Sequence, residues 1–265
     1  MSVNTYLSTL SSNLVLSSTE NENIKKSINT LSKYLNWHFD SNDLHEHFQF
    51  GSSTRGTILP RSADSGSDVD YMVVFKNPNG YKPQTLLKYL KEFMEKYYSR
   101  SEIYQSSPTM VLELNHIKFE LVPAVKDGWG NLSIPAPATD FLEWTSTDPV
   151  GFNSKLTQAN VENSYRLKPL VRLLKYWNRN KLKGHYPSFL LEKSIVERYN
   201  YFYKSSLKEY VYDFIEVLYA DFNDSQTFKD RLEYAKNVVK TCKAYELSAY
   251  PGLAETEIKK LFPEL

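Results

Sequence analysis

The sequence has very little cysteine, no long apolar run and almost no net charge. Its 265 residues include one cysteine, Cys242, so the chain can form neither an internal disulfide nor a cysteine-based zinc site. Lys and Arg number 32 against 31 Asp and Glu, which leaves a formal charge of +1. A duplex-binding protein usually has a clear basic excess, so any contact with nucleic acid or nucleotide is expected to be local. No stretch approaches the roughly 18 apolar residues of a membrane span, and no basic segment of a secretory signal opens the chain. We therefore expect a cytoplasmic protein that binds neither zinc nor a membrane.

The spacing of apolar residues divides the chain into a mixed part and a helical part. Steps of three and four predict an amphipathic helix over about residues 20–39, and alternation predicts strands further on. After about residue 140 the strand patterns nearly vanish. Helical spacing then recurs over residues 167–177, 189–199, 211–218 and 228–245. We expect an α+β lobe over residues 1–140, with a mixed sheet, flanking helices and a long N-terminal helix, and an all-helical lobe over residues 141–265.

Gly51 and Ser52 follow an apolar segment that ends in Phe50, and they are expected to open a short helix. Backbone N–H groups and a serine hydroxyl at such a position can bind phosphate oxygens. Taken alone, a Gly-Ser pair more often forms an ordinary turn.

Three carboxylates follow on two predicted strands. Asp68 and Asp70 begin the first strand, where side chains two apart point to one face. Two close carboxylates repel each other unless a cation lies between them, and Mg²⁺ prefers such oxygens together with substrate phosphates. Glu120 lies in an apolar run on a later strand and would join them if the two strands were neighbours. The alternatives are a solvated strand entrance for the aspartates and the solvent face of an edge strand for Glu120.

These motifs together resemble a known family. The run GSSTRGT, then SDVDYMVVF and FELVPA, resembles the nucleotidyltransferase superfamily of DNA polymerase β. The segments RLKPLVRLLKYWNRN and YPSFLLEK narrow the resemblance to the cGAS/DncV-like nucleotidyltransferases (CD-NTases) and the oligoadenylate synthetases. The resemblance implies a polymerase-β-like lobe, a helical lobe and an active site in the cleft between them.

The resemblance also implies roles for individual residues. Gly51 and Ser52 would hold the triphosphate, and Asp68, Asp70 and Glu120 would bind two Mg²⁺ ions, which Mn²⁺ could replace. Lys175 and Ser188 would reach the triphosphate, and Phe189 would stack on a base. From local pattern alone, Lys175 is a helix-border lysine that extends to water, and Ser188 with Phe189 is a helix start with a core aromatic. The family's bacterial enzymes usually have aspartate where this chain has Glu120, which we interpret as a tolerated substitution.

The activity implied is the joining of nucleoside triphosphates (ATP, GTP, UTP or CTP) into a cyclic di- or trinucleotide or a short oligonucleotide, with release of pyrophosphate. The resemblance further implies a second messenger of bacterial anti-phage (CBASS) signalling that is bound by a separate effector protein. Activation by duplex DNA is not expected, because the cysteines and basic surface of the animal sensors are missing, and a monomer is expected. The alternatives are a template-independent RNA 3′-end nucleotidyltransferase and a catalytically inactive nucleotide-binding regulator.

Overall fold

The computed structural model describes residues 2–77, 79–106, 108–136 and 142–265. The chain forms two compact units, and each is discontinuous in sequence. The sheet unit comprises Ser17–Arg61 and Gly66–Ser154, and the helical unit comprises Met1–Leu16, Ser62–Ser65 and Lys155–Leu265. The division expected between residues 140 and 141 falls within residues 137–141, which lie outside the described residues.

The elements follow one another along the chain as helices and strands. The helices are α1 (Val3–Asn13), α2 (Ser18–His38), α3 (Ser52–Arg55), α4 (Pro83–Tyr97), α5 (Gly151–Glu162), α6 (Leu167–Lys181), α7 (Ser188–Tyr199), α8 (Leu207–Val217), α9 (Gln226–Leu247) and α10 (Pro251–Ile258). The strands are β1 (Leu44–Phe50), β2 (Asp68–Phe75), β3 (Glu102–Ser106), β4 (Thr109–Glu113), β5 (Lys118–Lys126), β6 (Leu132–Pro135) and β7 (Trp144–Thr147).

The strands form one mixed sheet in the order β1-β2-β5-β4-β3, which β6 and β7 extend from the end of β5. The central pair, β2 and β5, is parallel, and the neighbouring pairs are antiparallel. Tyr71 to Phe75 of β2 are buried without interruption, as expected for a strand with both faces covered. On one face Met72 and Val74 pack with Val122 and Ala124 of β5. This buried centre fixes the register of β2 and β5, where the candidate site lies.

Two helices of the sheet unit show why the sequence folds as it does. The long helix α2 begins with a capping box, in which Ser17 and Glu20 satisfy each other's backbone N–H groups. Helix α4 buries one apolar stripe, Leu86, Leu90 and Phe93 among others, and contacts β3, β4 and β5. Helix α2 lies close to the helix predicted over about residues 20–39.

The helical unit surrounds large aromatic side chains. Trp177, Tyr199, Tyr210 and Phe262 are fully buried in it. Helices α6, α7, α8 and α9 lie where apolar periodicity predicts them. Helix α1, expected with the α+β lobe, packs instead against α6, α8 and α10, because these helices cover its apolar stripe.

Other elements differ from the sequence predictions. Strand β7 lies beyond residue 140, where strand patterns nearly vanish from the sequence, and strands β3 and β6 were not predicted either. Strands β6 and β7 span only four residues each and are largely half-exposed or exposed, so their sequences show little apolar alternation. Helix α5 was missed because few of its residues are apolar. None of the helices in the described ranges is both long and apolar enough to cross a membrane.

Candidate active site

Two carboxylates lie at the start of β2. Asp68 and Asp70 are half-buried, whereas Val69 between them is fully buried. The alternation places both aspartates on one face of the strand and Val69 on the other.

Glu120 lies directly beside Asp70. The parallel register of β2 and β5 pairs Asp70 with Glu120 and Asp68 with Lys118. Strand β5 lies between β2 and β4, so Glu120 is not on an edge strand. Neighbouring strands are roughly 4.8 Å apart, so the backbone brings the three acids into one patch.

A lysine lies among these acids. The Nζ atom of Lys118 is 2.8 Å from Oε1 of Glu120 and 3.3 Å from Oδ2 of Asp68. Burial disfavours the charged form, but the hydrogen bond to Glu120 and the attraction of Asp68 outweigh it and raise the pKa of Lys118 above its usual range. The lysine is therefore an ammonium ion that shares the oxygens of two candidate metal ligands.

Gly51 directly follows β1 and lies against the side chain of Asp70. Its backbone has φ 75° and ψ −155°, a conformation that is essentially restricted to glycine. A Cβ atom at this position would lie 1.8 Å from Oδ2 of Asp70. Glycine is therefore required here both by the backbone conformation and by the close approach of the carboxylate.

The loop after Gly51 is held by its own hydrogen bonds. The carbonyl oxygen of Ser52 accepts hydrogen bonds from the backbone N–H groups of Thr57 and Ile58, at 3.0 and 3.1 Å. The hydroxyl of Thr54 donates to the carbonyl of Gly51 at 2.9 Å. The short helix α3 thus starts at Ser52, as the sequence predicts, directly after Gly51, which lies against Asp70.

In the helical unit, Lys175 makes an ion pair that the sequence did not reveal. This α6 residue is 7% exposed, and its Nζ atom lies 3.4 Å from Oε1 of Glu192 on α7, a fully buried side chain. The local expectation of a lysine that extends to water is therefore wrong. A buried cation of this kind needs its carboxylate, because an uncompensated charge is costly there.

Ser188 and Phe189 begin α7. Ser188 is its first residue, after Pro187, and both Ser188 and Phe189 are exposed. Phe189 is 50% exposed, so the local expectation of a core aromatic is wrong. An exposed ring at a helix start has a face with which a flat group can stack.

The donor atoms of the sheet unit suit a divalent cation in kind. Asp68, Asp70 and Glu120 offer hard carboxylate oxygens, and the Lys118 ammonium already acts as a cation among them. Within the described ranges, no three His, Cys, Asp or Glu side chains form a group that could hold a metal ion as they stand. The residue types and the backbone register therefore fit the metal. In this structure, however, the side chains of Asp68 and Glu120 are arranged around the Lys118 ammonium.

Sequence reasoning missed Lys118 and Glu192. Strand alternation in the segment IKFELV puts Lys118 on the face of Glu120, which was a usable signal. Glu192 lies one helical turn after Ser188, but nothing in the sequence pairs it with Lys175 across two helices.

Solved structures share this fold. Escherichia coli CdnC, determined with ATP, aligns with a TM-score of 0.73 at 14% identity and covers 98% of this chain and 97% of its own. The CD-NTase CdnG of Bradyrhizobium diazoefficiens, in complex with GTP, aligns with a TM-score of 0.69 at 11% identity over 98% of both chains. The fold is therefore that of the polymerase-β-like CD-NTases, as the sequence predicts.

The family follows from the sequence match. Residues 1–160 match the Second Messenger Oligonucleotide or Dinucleotide Synthetase domain, and the chain belongs to this family. A cyclic AMP-AMP-AMP synthase of Acinetobacter is 27% identical over 191 residues, which are 69% of this chain and 55% of that protein. The match thus spans about half the length of this curated relative.

Proposed function

We propose that the protein is a Mg²⁺-dependent nucleotidyltransferase that joins nucleoside triphosphates into a cyclic di- or trinucleotide or a short oligonucleotide second messenger. The observation that carries the proposal is the register of β2 and β5, which sets Glu120 beside Asp70, with Asp68 on the same strand face and Gly51 against Asp70. The family membership supports the same chemistry.

Asp68, Asp70 and Glu120 are the residues that would hold Mg²⁺, with two ions expected and Mn²⁺ as a substitute. The bound metal supplies charge neutralisation at the phosphates and a lowered pKa of the attacking hydroxyl. The chain itself positions the reactants, which is the protein's main contribution to phosphoryl and nucleotidyl transfer.

The remaining proposed contacts are to the nucleotide. Backbone N–H groups after Gly51 and the hydroxyl of Ser52 bind triphosphate oxygens, since they open α3 directly after the glycine that lies against Asp70. Lys175 and Ser188 bind the triphosphate as well, and Phe189 stacks on a base through its exposed ring. For Lys175 this requires an exchange of its partner Glu192 for phosphate oxygens.

The biological setting is proposed from the family. The substrates are ATP, GTP, UTP or CTP, the product acts in bacterial anti-phage (CBASS) signalling in the cytoplasm, and a separate effector protein binds it. The enzyme is proposed to work as a monomer, without zinc and without activation by duplex DNA.

The test is a product assay with all four nucleoside triphosphates, each in turn labelled with ³²P at the α-phosphate, in Mg²⁺ or Mn²⁺. Phosphatase treatment and chromatography follow, and mass spectrometry identifies the product. Phosphatase-resistant label is expected from the wild type and from the control Glu46→Gln. Glu46 is an acid of the same sheet, but it lies beside the end of β2 opposite to Asp68 and Asp70. Asp70→Asn and Glu120→Gln are expected to lose the label.

Two other results would replace the proposal. Label that is incorporated only when RNA is added, with marked sensitivity to salt, would identify an RNA 3′-end nucleotidyltransferase. Nucleotide binding in either metal without any joined product, with or without RNA, would identify an inactive nucleotide-binding regulator.

A further inference from the structure

The ammonium of Lys118 occupies the space where the candidate ligands converge. It approaches Glu120 at 2.8 Å and Asp68 at 3.3 Å, and its side chain is only 17% exposed. Lys118, Asp68 and Glu120 belong to two paired strands and share one face, so the contact follows from the backbone register.

A metal ion cannot bind these oxygens while the lysine stays among them. Mg²⁺ binds oxygens at roughly 2.1 Å and demands a near-octahedral arrangement. The ammonium uses two of the same carboxylates, and two cations on shared oxygens repel each other strongly at a partly buried site. The lysine must therefore withdraw when the metal enters.

We propose that Lys118 is a positioning residue that neutralises Asp68 and Glu120 until the metal arrives, competes with the metal for their oxygens, and so sets the metal concentration at which the site fills. The inference rests on the proposed function, because it takes Asp68, Asp70 and Glu120 as metal ligands. Its consequence is that removal of the lysine makes metal binding tighter and makes the protein without metal less stable.

The first measurement is direct Mn²⁺ binding to the full chain without nucleotide, followed by the electron paramagnetic resonance signal of free Mn²⁺. Lys118→Met keeps the length and the packing of the side chain but removes its charge. It is expected to lower the Mn²⁺ dissociation constant about tenfold, the scale of one charge-assisted hydrogen bond. An Asp68→Asn/Asp70→Asn variant is expected to abolish this binding, which identifies the site.

Lys126 provides a matched control on the same strand. It forms an ion pair of 2.9 Å with Glu46, but it lies eight residues further along β5, roughly 26 Å away at about 3.3 Å per residue. Lys126→Met is expected to leave the Mn²⁺ dissociation constant unchanged. Lys118→Arg keeps the charge and is expected to stay near the wild-type value.

The second measurement is thermal unfolding across a Mg²⁺ series that starts in chelator. Lys118→Met is expected to unfold at a lower temperature than the wild type in chelator and to gain more stability as Mg²⁺ rises, since a ligand stabilises according to its affinity for the folded state. A lysine with a purely structural role would lower the unfolding temperature equally at all Mg²⁺ concentrations and leave Mn²⁺ affinity unchanged.

The outcomes separate this inference from the proposed function. Equal Mn²⁺ affinity of the wild type and Lys118→Met overturns the role of Lys118, while product formation by the wild type still supports the function. Mn²⁺ binding that does not depend on Asp68 and Asp70, or no Mn²⁺ binding by any variant, overturns the inference because there is no metal for the lysine to compete with. If the wild-type protein binds Mn²⁺ through the aspartates but makes no product, the competition between Lys118 and the metal is still supported, whereas the proposed function is refuted.

Discussion

The contact between Gly51 and Asp70 makes a single methyl group a severe perturbation. In Gly51→Ala the new Cβ would lie 1.8 Å from Oδ2, 2.6 Å from Cγ and 2.9 Å from Cβ of Asp70. Rotation of the Asp70 side chain about its Cα–Cβ bond relieves the first two contacts. The third involves an atom fixed to the backbone of β2, so either the strand or the loop must move.

The stability lost in Gly51→Ala has two contributions. A non-glycine residue at φ 75° and ψ −155° costs about 1–3 kcal/mol. Steric overpacking in a tight site typically costs about 1–3 kcal/mol more. We therefore expect Gly51→Ala to lose roughly 2–6 kcal/mol of the free energy of unfolding, from these two sources together. We also expect product formation to fall about 100-fold or more, because a shift of about 1 Å at a reacting centre is enough for that.

The assay combines urea unfolding with product formation, and Gly56→Ala is the matched control. Gly56 also has a positive φ, 70°, but nothing lies within 4 Å of a Cβ built there. Its substitution is expected to cost only about 1–2 kcal/mol of backbone strain and to leave product formation near the wild-type level. In Gly51→Ala/Asp70→Gly, which also removes Cβ of residue 70, part of the lost stability should return without activity. Equal stability and activity of the Gly51→Ala and Gly56→Ala variants would refute the reasoning.

Three further substitutions, one of them with a matched control, test paired charges. Glu192→Gln leaves Lys175 buried without its carboxylate and is expected to cost about 3 kcal/mol in urea unfolding, whereas Glu197→Gln, in an exposed pair on the same helix, should cost under about 0.5 kcal/mol. Glu120→Asp draws the carboxylate back from the lysine beside it, so we expect activity to persist and to saturate at lower Mg²⁺; a higher Mg²⁺ requirement would contradict this. Burial opposes the ionised form of Asp213, but hydrogen bonds from two cations and a tyrosine lower its pKa to about 2. The stability that ionised Asp213 gives the folded protein is complete above the ordinary pKa of about 3.9 and is lost as the pH falls from there towards 2. In Asp213→Asn, the urea concentration at the unfolding midpoint should therefore depend less on pH over that range.

The sequence predicts the fold wherever a segment carries a strong periodic pattern. Helices α2, α4 and α6 bury regular apolar stripes, and β2 ends in an unbroken apolar run from Tyr71 to Phe75, so local pattern and tertiary burial agree. Strands β6 and β7 depend on pairing with their neighbours, and α1 depends on helices that follow more than 150 residues later in the chain. Such partners cannot be identified from a local window.

The acids of the candidate site were predictable because strand alternation reveals which residues share a face. What it does not reveal is the register between strands. The pairing of Asp70 with Glu120, and of Asp68 with Lys118, arises from the parallel alignment of β2 and β5. The nearness of Gly51 to Asp70 arises from the antiparallel pairing of β1 with β2, where Phe50 faces Asp70. The family resemblance supplied the acids and the glycine, but it carried no information about a lysine two residues before the third acid.

In two internal ion pairs, one partner has the same charge as a proposed ligand: Lys118 is positive like the metal ion, and Glu192 is negative like the triphosphate. Lys118 neutralises carboxylates that a metal would bind, and Glu192 neutralises Lys175, which a triphosphate would bind. Each pair keeps its own unit free of an uncompensated charge when no substrate is bound. Under the proposed roles, a metal ion would displace the Lys118 ammonium, and triphosphate oxygens would displace the Glu192 carboxylate. Each incoming ligand would thereby replace the counter-ion that it removes, so the acids and Lys175 would keep an opposite charge beside them in both states.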